Sequence, residues 1–308
     1  MTRLKVHITT LPFNKDNLAF LEKSFDVTIN PLGRKIKNEE VYDQVYKADY
    51  VIAGTEKYDQ ELLSKLVNLK GISRVGIGID NIDLDIAAKK NIKIFNTPEE
   101  PAKGVAELTL TFILNLLREI SSHQHNLNQG NWERTLGKSL NEATISLIGG
   151  GRVAKNVSKF LLSAGVKKIK VFDILDLSTD PDWRHESISI CGFEECLSNS
   201  DIVSLHVPMN EENKNMISKK ELLVMGKNSY LINVSRGGLI NEEDLYEALN
   251  SNLIKGAALD VFATEPYEGK LLECKNLIAT PHVASSTEYV RDQMERRACE
   301  NLINLLDE

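Results

Sequence analysis

The amino-acid sequence predicts an α/β protein built from two doubly wound parallel sheets. Short apolar runs alternate with segments of helical spacing along almost the whole chain, which is typical of parallel sheets covered by helices on both faces. The alternation is interrupted after residue 98 by a long apolar helix and a polar stretch, and it starts again near residue 143. We therefore expect two α/β units, residues 1–98 and 99–282, followed by a closing helix.

The first unit is expected to begin with an alternating strand at residues 4–9. A helix should follow at 14–25, where Leu18, Leu21 and Phe25 recur at helical spacing. The next elements are predicted in the order strand, helix, strand, helix, strand, at residues 50–53, 60–67, 72–75, 84–90 and 92–95.

The second unit is expected to open with an apolar helix at 105–120 and a polar stretch that contains Trp132. The elements predicted next are a strand at 143–148, a glycine-rich turn, a helix at 153–164 and a strand at 169–172. Further apolar runs end at Leu205, Asn233, Leu259 and Ala279, and the closing helix covers 287–306. These run ends matter because open α/β sheets bind ligands at the carboxyl ends of their strands.

The composition is that of an ordinary globular protein, with 42% hydrophobic and 26% charged residues. A formal net charge of −7, without Lys/Arg clusters, argues against a nucleic-acid or acidic-membrane partner. The N-terminal residues should form a strand rather than a signal peptide, and the most apolar segment, 105–117, is too short to span a bilayer. The four cysteines follow neither a disulfide framework nor a zinc spacing, so we expect free thiols, no metal site and a cytoplasmic location.

A glycine-rich turn connects the strand at 143–148 to the next helix. Residues 149–154, GGGRVA, have the pattern G-x-G-x-x-A, in which Gly149 permits a tight turn and Gly151 lets the backbone approach a pyrophosphate. Ala154 allows the helix to pack closely on the strand, and the helix N-terminus offers unpaired N–H groups to an anion. An ordinary glycine loop would have the same residues, so the turn alone does not decide the function.

The end of the following strand adds a second observation. Asp173 ends the run KVFD and lies 22 positions beyond Gly151. This matches the spacing of about 20 residues to the carboxylate that accepts the ribose hydroxyls of NAD. A carboxylate here repels a 2′-phosphate, and no arginine follows in residues 174–176. The sequence therefore predicts a dinucleotide site that favours NAD over NADP.

Three later residues with complementary chemistry lie just beyond the ends of apolar runs: Arg236, Glu265 and His282. An arginine can hold a carboxylate or keto oxygen through two parallel hydrogen bonds. A histidine can give and take a proton near neutral pH, and a neighbouring carboxylate favours its protonated form. We expect the three side chains to converge on one small anionic substrate.

Six segments, in this order, resemble motifs of the D-isomer-specific 2-hydroxyacid dehydrogenase family: VGIGIDNIDLDIAA, LIGGGRVAKNVSKFL, LHVPMNEENKNMI, LINVSRGGLINEEDL, AALDVFATEP and TPHVASST. The resemblance extends from about residue 51 to the end of the chain. It implies an NAD-dependent oxidoreductase that transfers hydride between nicotinamide and a D-2-hydroxyacid or 2-keto acid. In this family's terms, Arg236 binds the substrate carboxylate and carbonyl, His282 is the general acid and base, and Glu265 keeps the imidazole protonated and oriented.

The resemblance also implies the remaining site residues. The loop 74–81 resembles the family's substrate loop, and the residues implied in substrate binding are Arg74, Val75, Gly76 and Ile77. The implied cofactor contacts are Gly149, Gly151, Arg152, Val153, Asp173, Val207, Val234 and Asp260.

The family's domain order gives each unit a task. Residues 1–98 and 285–308 are expected to form the substrate domain, and residues 99–284 the NAD-binding Rossmann domain. The active site is then expected in the cleft between these two Rossmann- or flavodoxin-like domains. Helix 105–120 and the segment around Trp132 are expected to pair with a second copy in a homodimer.

The substrate itself is less closely specified. Residues 52–55, Arg74 and the HVASST run resemble the D-3-phosphoglycerate dehydrogenase branch, which implies 3-phosphoglycerate and 3-phosphohydroxypyruvate as the substrate pair, in serine biosynthesis. Ile52, however, stands in the place nearest to an arginine that serves the phosphate in that branch. A hydroxypyruvate or glyoxylate reductase therefore stays open, as does a corepressor-like protein that senses a dinucleotide without turning over a substrate.

Overall fold

The structure, a computed structural model, describes residues 3–306. The β-strands are β1 (Lys5–Ile8), β2 (Asp26–Ile29), β3 (Tyr50–Ala53), β4 (Gly71–Arg74), β5 (Lys93–Phe95), β6 (Thr144–Ile148), β7 (Lys168–Phe172), β8 (Ile188–Ile190), β9 (Ile202–Leu205), β10 (Tyr230–Asn233), β11 (Gly256–Leu259) and β12 (Leu277–Ala279). The α-helices are α1 (Lys15–Leu21), α2 (Val41–Val45), α3 (Gln60–Lys65), α4 (Leu84–Lys89), α5 (Pro101–Arg118), α6 (Ile120–Asn128), α7 (Arg152–Ser163), α8 (Phe193–Leu197), α9 (Lys219–Met225), α10 (Glu242–Asn250) and α11 (Glu288–Asn304).

The chain divides into two compact units. Unit 1 contains the described residues up to Pro101 and those from Ser286 onward, and unit 2 is Ala102–Ser285. Unit 2 is thus one continuous stretch of chain, whereas unit 1 is completed by the C-terminal helix α11.

Unit 1 is a doubly wound sheet in the order β2-β1-β3-β4-β5, with every strand pair parallel. This is the flavodoxin-like order. Alternate residues of a strand point to opposite faces, and in β3 they fill two different cores. Val51 packs with Leu63 of α3 on one face, and Ile52 packs with Met294 and Leu302 of α11 on the other. Helices therefore cover both faces of this sheet.

Unit 2 is a second parallel sheet, in the order β12-β11-β10-β9-β6-β7-β8. Counted from β6, this is the Rossmann order 3-2-1-4-5-6 with one further strand beyond the last. Ile145 and Leu147 of β6 face one core, while Ile148 faces the other. The predicted fold class, two doubly wound parallel-sheet units, is confirmed.

The first helix of unit 2 differs from its predicted form. We predicted one helix at 105–120, but α5 begins at Pro101 and ends at Arg118, and a separate helix α6 follows. Glu119 breaks the helix because its backbone is left-handed, with φ 52°. Lys138 N–H then donates to Leu117 O (2.8 Å), which returns the chain to the end of α5. Within residues 3–306, no helix combines the length and apolar character needed to cross a membrane.

Candidate active site

The glycine-rich turn lies between β6 and α7, at the carboxyl end of the central strand of unit 2. Gly149 has φ 103°, a conformation that favours glycine, and its N–H donates to Phe172 O (2.7 Å). A Cβ at Gly149 would lie 2.6 Å from His206 O. The first glycine is therefore required by the fold itself, because the turn passes directly against the end of β9.

Gly151 is different, because the protein leaves space around it. A Cβ at this position would have no heavy atom of the described chain within 4 Å. Gly151 is also the N-cap of α7, and no side chain of the described residues caps that helix start. The turn lies next to the β6–β9 boundary, where the strand order reverses and α/β sheets bind nucleotides. Open space beside uncapped helix N–H groups, at Arg152 and Val153, suits a pyrophosphate.

Asp173 lies beside this turn, directly after β7. Its Oδ2 accepts from Gly150 N–H (2.7 Å), and its Oδ1 accepts from Leu175 N–H (2.9 Å). The first hydrogen bond ties the carboxylate to the glycine turn and the second orients it within its own loop, so one local unit presents both the helix N-terminus and the acidic group. This arrangement fits the diphosphate and adenosine ribose of NAD and disfavours a 2′-phosphate.

Glu265 and His282 form a hydrogen-bonded pair. Their atoms Oε2 and Nδ1 are 2.9 Å apart, and because a carboxylate can only accept, Nδ1 carries the proton. The second oxygen, Oε1, accepts from Phe262 N–H (3.1 Å), which fixes the carboxylate. The His282 side chain is 48% exposed. Its Nε2 is therefore the nitrogen left to meet a substrate.

Asp260 anchors the turn that carries His282. Asp260 is fully buried, and its carboxylate accepts from Thr280 Oγ1 (2.5 Å), Val283 N–H (2.8 Å) and Ala284 N–H (2.9 Å). Its backbone oxygen accepts from His282 N–H (2.8 Å). The family resemblance implied that Asp260 contacts the cofactor. The structure gives its side chain another task, because both carboxylate oxygens hold the residues on either side of the histidine.

Arg236 follows β10, the strand next to β11. Its Nη1 donates to Ser235 O (2.8 Å), which folds the side chain back over its own strand end. The next residue, Gly237, allows close packing with the loop after β11, since a Cβ there would lie 1.8 Å from Phe262 C. Arg236, Glu265 and His282 follow the adjacent strands β10, β11 and β12, so the carboxyl edge of one sheet carries all three.

The ends of β9 and β10 are largely apolar. Val234 is buried in the core of unit 2, and Val207 is partly buried, with Cγ1 2.9 Å from the position of a Cβ on Gly149. His206 precedes Val207, and burial lowers its pKa to about 3, so its ring is neutral. Neither ring nitrogen has a hydrogen-bond partner among the described residues. These side chains supply apolar contact rather than charge beside the glycine turn.

The loop after β4 in unit 1 is held by hydrogen bonds. Val75 N–H donates to Ala53 O (2.9 Å), and Gly76 N–H donates to Thr97 Oγ1 (2.8 Å). These two amides are therefore already used, and among residues 3–306 no acceptor is found for the N–H groups of Ile77 and Gly78. The predicted substrate loop thus offers its later amides, rather than those of Val75 and Gly76, to an anion.

Arg74 lies over this loop. Its Nη1 is 1.4 Å from the position of a Cβ on Gly76, so the guanidinium occupies the space that any other residue at 76 would need. Gly76 also has φ 136°, within the range that favours glycine. The sequence of this loop therefore places one positive charge at the carboxyl end of β4.

A buried carboxylate that the sequence analysis missed lies at the end of the neighbouring strand, β3. Glu56 is 3% exposed, and its Oε1 accepts from Gly54 N–H (3.0 Å), Tyr58 Oη (3.0 Å) and the Thr9 hydroxyl. Burial and the Glu56 charge raise the pKa of the Tyr58 phenol, which keeps it a donor. The alternation of apolar residues gave no signal for this cluster, because its members come from two separate strand ends.

The fold and the glycine turn are those of a dinucleotide-dependent α/β enzyme, and comparison with known proteins narrows that class. The family model described as "D-isomer specific 2-hydroxyacid dehydrogenase, NAD binding domain" matches residues 110–284. A D-3-phosphoglycerate dehydrogenase from Methanocaldococcus jannaschii is 32% identical over 321 residues, which cover 97% of this chain and 59% of that protein. A hydroxypyruvate reductase from Thermotoga maritima is 34% identical over 294 residues, 93% of each chain.

A solved structure gives the same result. D-Lactate dehydrogenase from Aquifex aeolicus, in complex with NAD and lactic acid, aligns with a TM-score of 0.84 and 26% identity, over 98% of this chain and 95% of that one. This chain belongs to the D-isomer specific 2-hydroxyacid dehydrogenase family and contains that family's NAD-binding domain. The predictions of the family, the enzyme class and the NAD cofactor are confirmed.

Proposed function

We propose that this protein transfers hydride between NAD(H) and a D-2-hydroxyacid or 2-keto acid, with 3-phosphoglycerate and 3-phosphohydroxypyruvate as the substrate pair in serine biosynthesis. The hydrogen bond between His282 Nδ1 and Glu265 Oε2 carries this proposal. It leaves Nε2 of a partly exposed imidazole for proton exchange, at a sheet edge that also carries Arg236. Unit 2 is assigned to the cofactor and unit 1 to the substrate.

The residues of unit 2 have separate tasks in the reaction. When bound, the nicotinamide supplies the hydride for reduction and accepts it in oxidation. His282 donates the Nε2 proton to the keto oxygen during reduction and takes it back during oxidation. Glu265 stabilises the imidazolium and keeps its ring oriented, and Arg236 binds the substrate carboxylate and carbonyl. Charge that develops on the oxygen thus meets donors that are already in place.

The phosphorylated substrate is favoured by the positive charge at the end of β4. The Arg74 guanidinium lies over Gly76, and the N–H groups of Ile77 and Gly78 follow it in the same loop. The Arg74 charge suits a dianionic phosphate, while the loop amides suit the substrate carboxylate. The relatives do not separate the candidates, since a phosphoglycerate dehydrogenase is 32% identical over 97% of this chain and a hydroxypyruvate reductase is 34% identical over 93% of it.

An unphosphorylated 2-keto acid, such as hydroxypyruvate or glyoxylate, is the second candidate. Glu56 favours it, because β3 pairs with β4 and the negative carboxylate therefore lies at the strand end next to that of Arg74. Ile52, which stands nearest to the place of a phosphate-binding arginine in the related branch, is fully buried in the core of unit 1. With Glu56 nearby, the single positive charge of Arg74 would neutralise a phosphate dianion poorly.

NADH oxidation with 3-phosphohydroxypyruvate, hydroxypyruvate, glyoxylate and pyruvate tests both candidates. We expect the highest kcat/KM for the phosphorylated acid, and a smaller preference for it in Arg74→Gln. His282→Asn should lower kcat by about 10²- to 10⁴-fold without weakening NADH binding. His125→Gln, at an exposed position of α6, is the matched control and should behave as wild type.

The other outcomes separate the alternatives. A preference for hydroxypyruvate or glyoxylate would keep the reaction but replace the substrate. NADH binding without turnover of any acid would contradict the enzymatic proposal and favour a dinucleotide-sensing protein. Full activity of His282→Asn would remove His282 from the proposed proton transfer.

We also propose that the protein is a homodimer. The apolar side chains of α5 that we expected at the interface are mostly used inside unit 2, where Phe112 and Ile113 are buried. Leu114 of α5 is exposed, and four further exposed apolar side chains follow the helix: Ile120, Leu127, Trp132 and Leu136. Large apolar side chains exposed within one short segment are typical of an interface, and a second copy can bury them by two-fold symmetry.

A cytoplasmic location is proposed from the thiols. Cys191, Cys196, Cys274 and Cys299 are all free cysteines in the described chain. Free thiols persist in a reducing compartment, where disulfides are rare. The NAD-dependent reaction proposed above is compatible with that compartment.

A further inference from the structure

Two cysteines of unit 2 lie in direct contact. Cys191 follows β8 and Cys196 lies in α8, and their Sγ atoms are 2.9 Å apart. A disulfide bond is about 2.05 Å long, so less than about 1 Å separates this contact from a covalent bond. The other two cysteines, Cys274 and Cys299, have no cysteine partner among the described residues.

The fold holds the backbone at both cysteines. Cys191 N–H donates to Val171 O (3.0 Å) in β7. Cys196 N–H donates to Gly192 O (3.0 Å), and its carbonyl oxygen accepts from Ser200 Oγ (2.9 Å). Both backbone segments are therefore anchored, and they hold the two sulfur atoms 2.9 Å apart.

The two thiols differ in accessibility. Cys196 is fully buried, and burial raises the pKa of its thiol, so it does not react first with a solute. Cys191 is partly exposed, at the margin of the core that encloses Cys196. A less buried cysteine next to a fully buried one is the arrangement of a peroxide-sensitive thiol and its resolving partner.

The pair lies near the adenosine side of the proposed cofactor site. The Phe193 ring packs on Phe172, with ring centroids 5.4 Å apart, and Phe172 directly precedes Asp173. None of the residues proposed for NAD or substrate is a cysteine, so the dithiol has no task in that reaction. It is a separate chemical feature of this sheet.

We propose that Cys191 and Cys196 form a reversible intramolecular disulfide when the protein meets hydrogen peroxide. The Cys191 thiolate attacks one peroxide oxygen, the O–O bond breaks, hydroxide leaves, and Cys191 becomes a sulfenic acid. Cys196 sulfur then attacks the Cys191 sulfur, the S–O bond breaks, and water leaves with the proton of Cys196. The two thiols lose two electrons and the peroxide gains them. A dithiol reductant such as dithiothreitol reverses the change.

Differential labelling of the wild-type protein tests this directly. After peroxide treatment, free thiols are blocked with N-ethylmaleimide in denaturant, disulfides are reduced, and the released thiols are labelled with iodoacetamide. Residues 185–214 form one tryptic peptide that contains both cysteines. We expect two iodoacetamide labels on this peptide, whereas Cys274 and Cys299 should carry N-ethylmaleimide. Before peroxide treatment, all four cysteines should carry N-ethylmaleimide.

Variants identify the role of each thiol. In Cys196→Ser the bond cannot close, so Cys191 should gain two oxygen atoms and end as a sulfinic acid. Cys274→Ser is the matched control and should form the disulfide as wild type does. Circular dichroism checks that each variant is folded. The labelling of the wild-type protein tests the proposal even if a variant fails to fold.

Three results would overturn the proposal. The first is N-ethylmaleimide on both cysteines of the peptide after peroxide treatment. The second is a sulfinic acid on Cys191 in the wild-type protein beside a blocked Cys196. The third is a disulfide between two chains, seen as a covalent dimer on a non-reducing gel. Each would show that the 2.9 Å contact does not close into an intramolecular bond.

Discussion

At the scale of single residues, the candidate catalytic histidine is held in an unfavourable backbone conformation. His282 has φ 55°, in the left-handed region that residues other than glycine seldom adopt. Such a conformation costs on the order of 1 kcal/mol and persists only when the surroundings fix it. Here the hydrogen bonds of Asp260 to His282, Val283 and Ala284 fix it. The hydrogen bonds of Asp260 thus offset the backbone strain at His282 and fix the position of its imidazole.

Asp260→Asn tests this anchoring. An amide keeps one acceptor but turns an N–H₂ group toward an N–H donor, so we expect a loss of about 2 kcal/mol in the free energy of unfolding. Displacement of His282 should lower kcat by about 100-fold. Urea unfolding and NADH oxidation measure the two effects, and Asp43→Asn, at an exposed carboxylate of α2, is the matched control. An NADH Kd that weakens as much as kcat falls would show direct cofactor contact instead.

His206 makes the free energy of unfolding depend on pH. Its pKa is lowered to about 3 by burial, below the value of about 6.5 expected in the unfolded chain. Between these values the unfolded state binds one proton more, so stability falls as pH falls below 6.5. From pH 6.5 to pH 5 this residue should cost about 2 kcal/mol. The pKa of buried His7 is lowered in the same direction.

Urea unfolding at pH 7.5 and pH 5 measures this loss. His206→Leu should abolish the loss of unfolding free energy that the titration of His206 causes. The substitution should change stability little at pH 7.5, because the ring makes no hydrogen bond to the described residues. His125→Gln should keep the full wild-type loss. An equal loss in wild type and His206→Leu would contradict the assignment.

Not every important residue could be predicted from the sequence. Arg236, Glu265 and His282 could, because each lies just beyond a visible apolar run. The anchoring by Asp260 could not, since it depends on where the turn after β12 passes in three dimensions. The same holds for the buried Glu56 and for the contact between Cys191 and Cys196, which only the packing of α8 creates.

At the scale of elements, strand ends were predicted better than sheet edges. The runs ending at Leu205, Asn233, Leu259 and Ala279 end there in the structure as well. The central strands are buried on both faces, so their sequences are continuously apolar. Of the four edge strands, β5 and β12 were predicted from their short apolar runs, whereas β2 and β8 were missed. They are partly exposed and contain polar residues such as Thr28 and Ser189, so they resemble loops in sequence.

The turn between β6 and α7 contains one glycine that the fold requires, Gly149, and one that we expect cofactor binding to require, Gly151. Gly149→Ala places a Cβ 2.6 Å from His206 O at φ 103°, so we expect a loss of about 2 kcal/mol or more in the free energy of unfolding. Gly151→Ala meets no protein atom, so its stability should stay within about 0.5 kcal/mol of wild type.

Gly151→Ala should weaken NADH binding even though it leaves the free energy of unfolding nearly unchanged. The added Cβ occupies the space proposed for the pyrophosphate, so we expect the Kd for NADH to weaken by about tenfold or more. Fluorescence titration with NADH and urea unfolding of both variants provide the comparison. Wild-type affinity in Gly151→Ala would place the cofactor phosphates elsewhere.

At the scale of the whole molecule, the two units share the doubly wound parallel sheet but carry different residues at their strand ends. Both are parallel and doubly wound, yet only unit 2 has the G-x-G-x-x-A turn at its strand-order reversal among the described residues. In unit 1 the corresponding edge carries Arg74 and Glu56 instead. The alternation of apolar runs predicted both sheets, whereas the place of α11 was implied by family resemblance alone. A helix does not encode, in its own periodicity, which sheet it will cover.

The proposed homodimer gives the last test. Trp132 is 79% exposed and Leu136 97% exposed in one chain, and burial of both against a second copy would stabilise a dimer. Sedimentation velocity of wild type should give twice the chain mass of 34.5 kDa, and the double substitution Trp132→Asp with Leu136→Asp should give the monomer. Val67→Asp removes an equally exposed apolar side chain in unit 1 and should leave the dimer intact. A monomeric wild type, or a doubly substituted dimer, would place no interface on this segment.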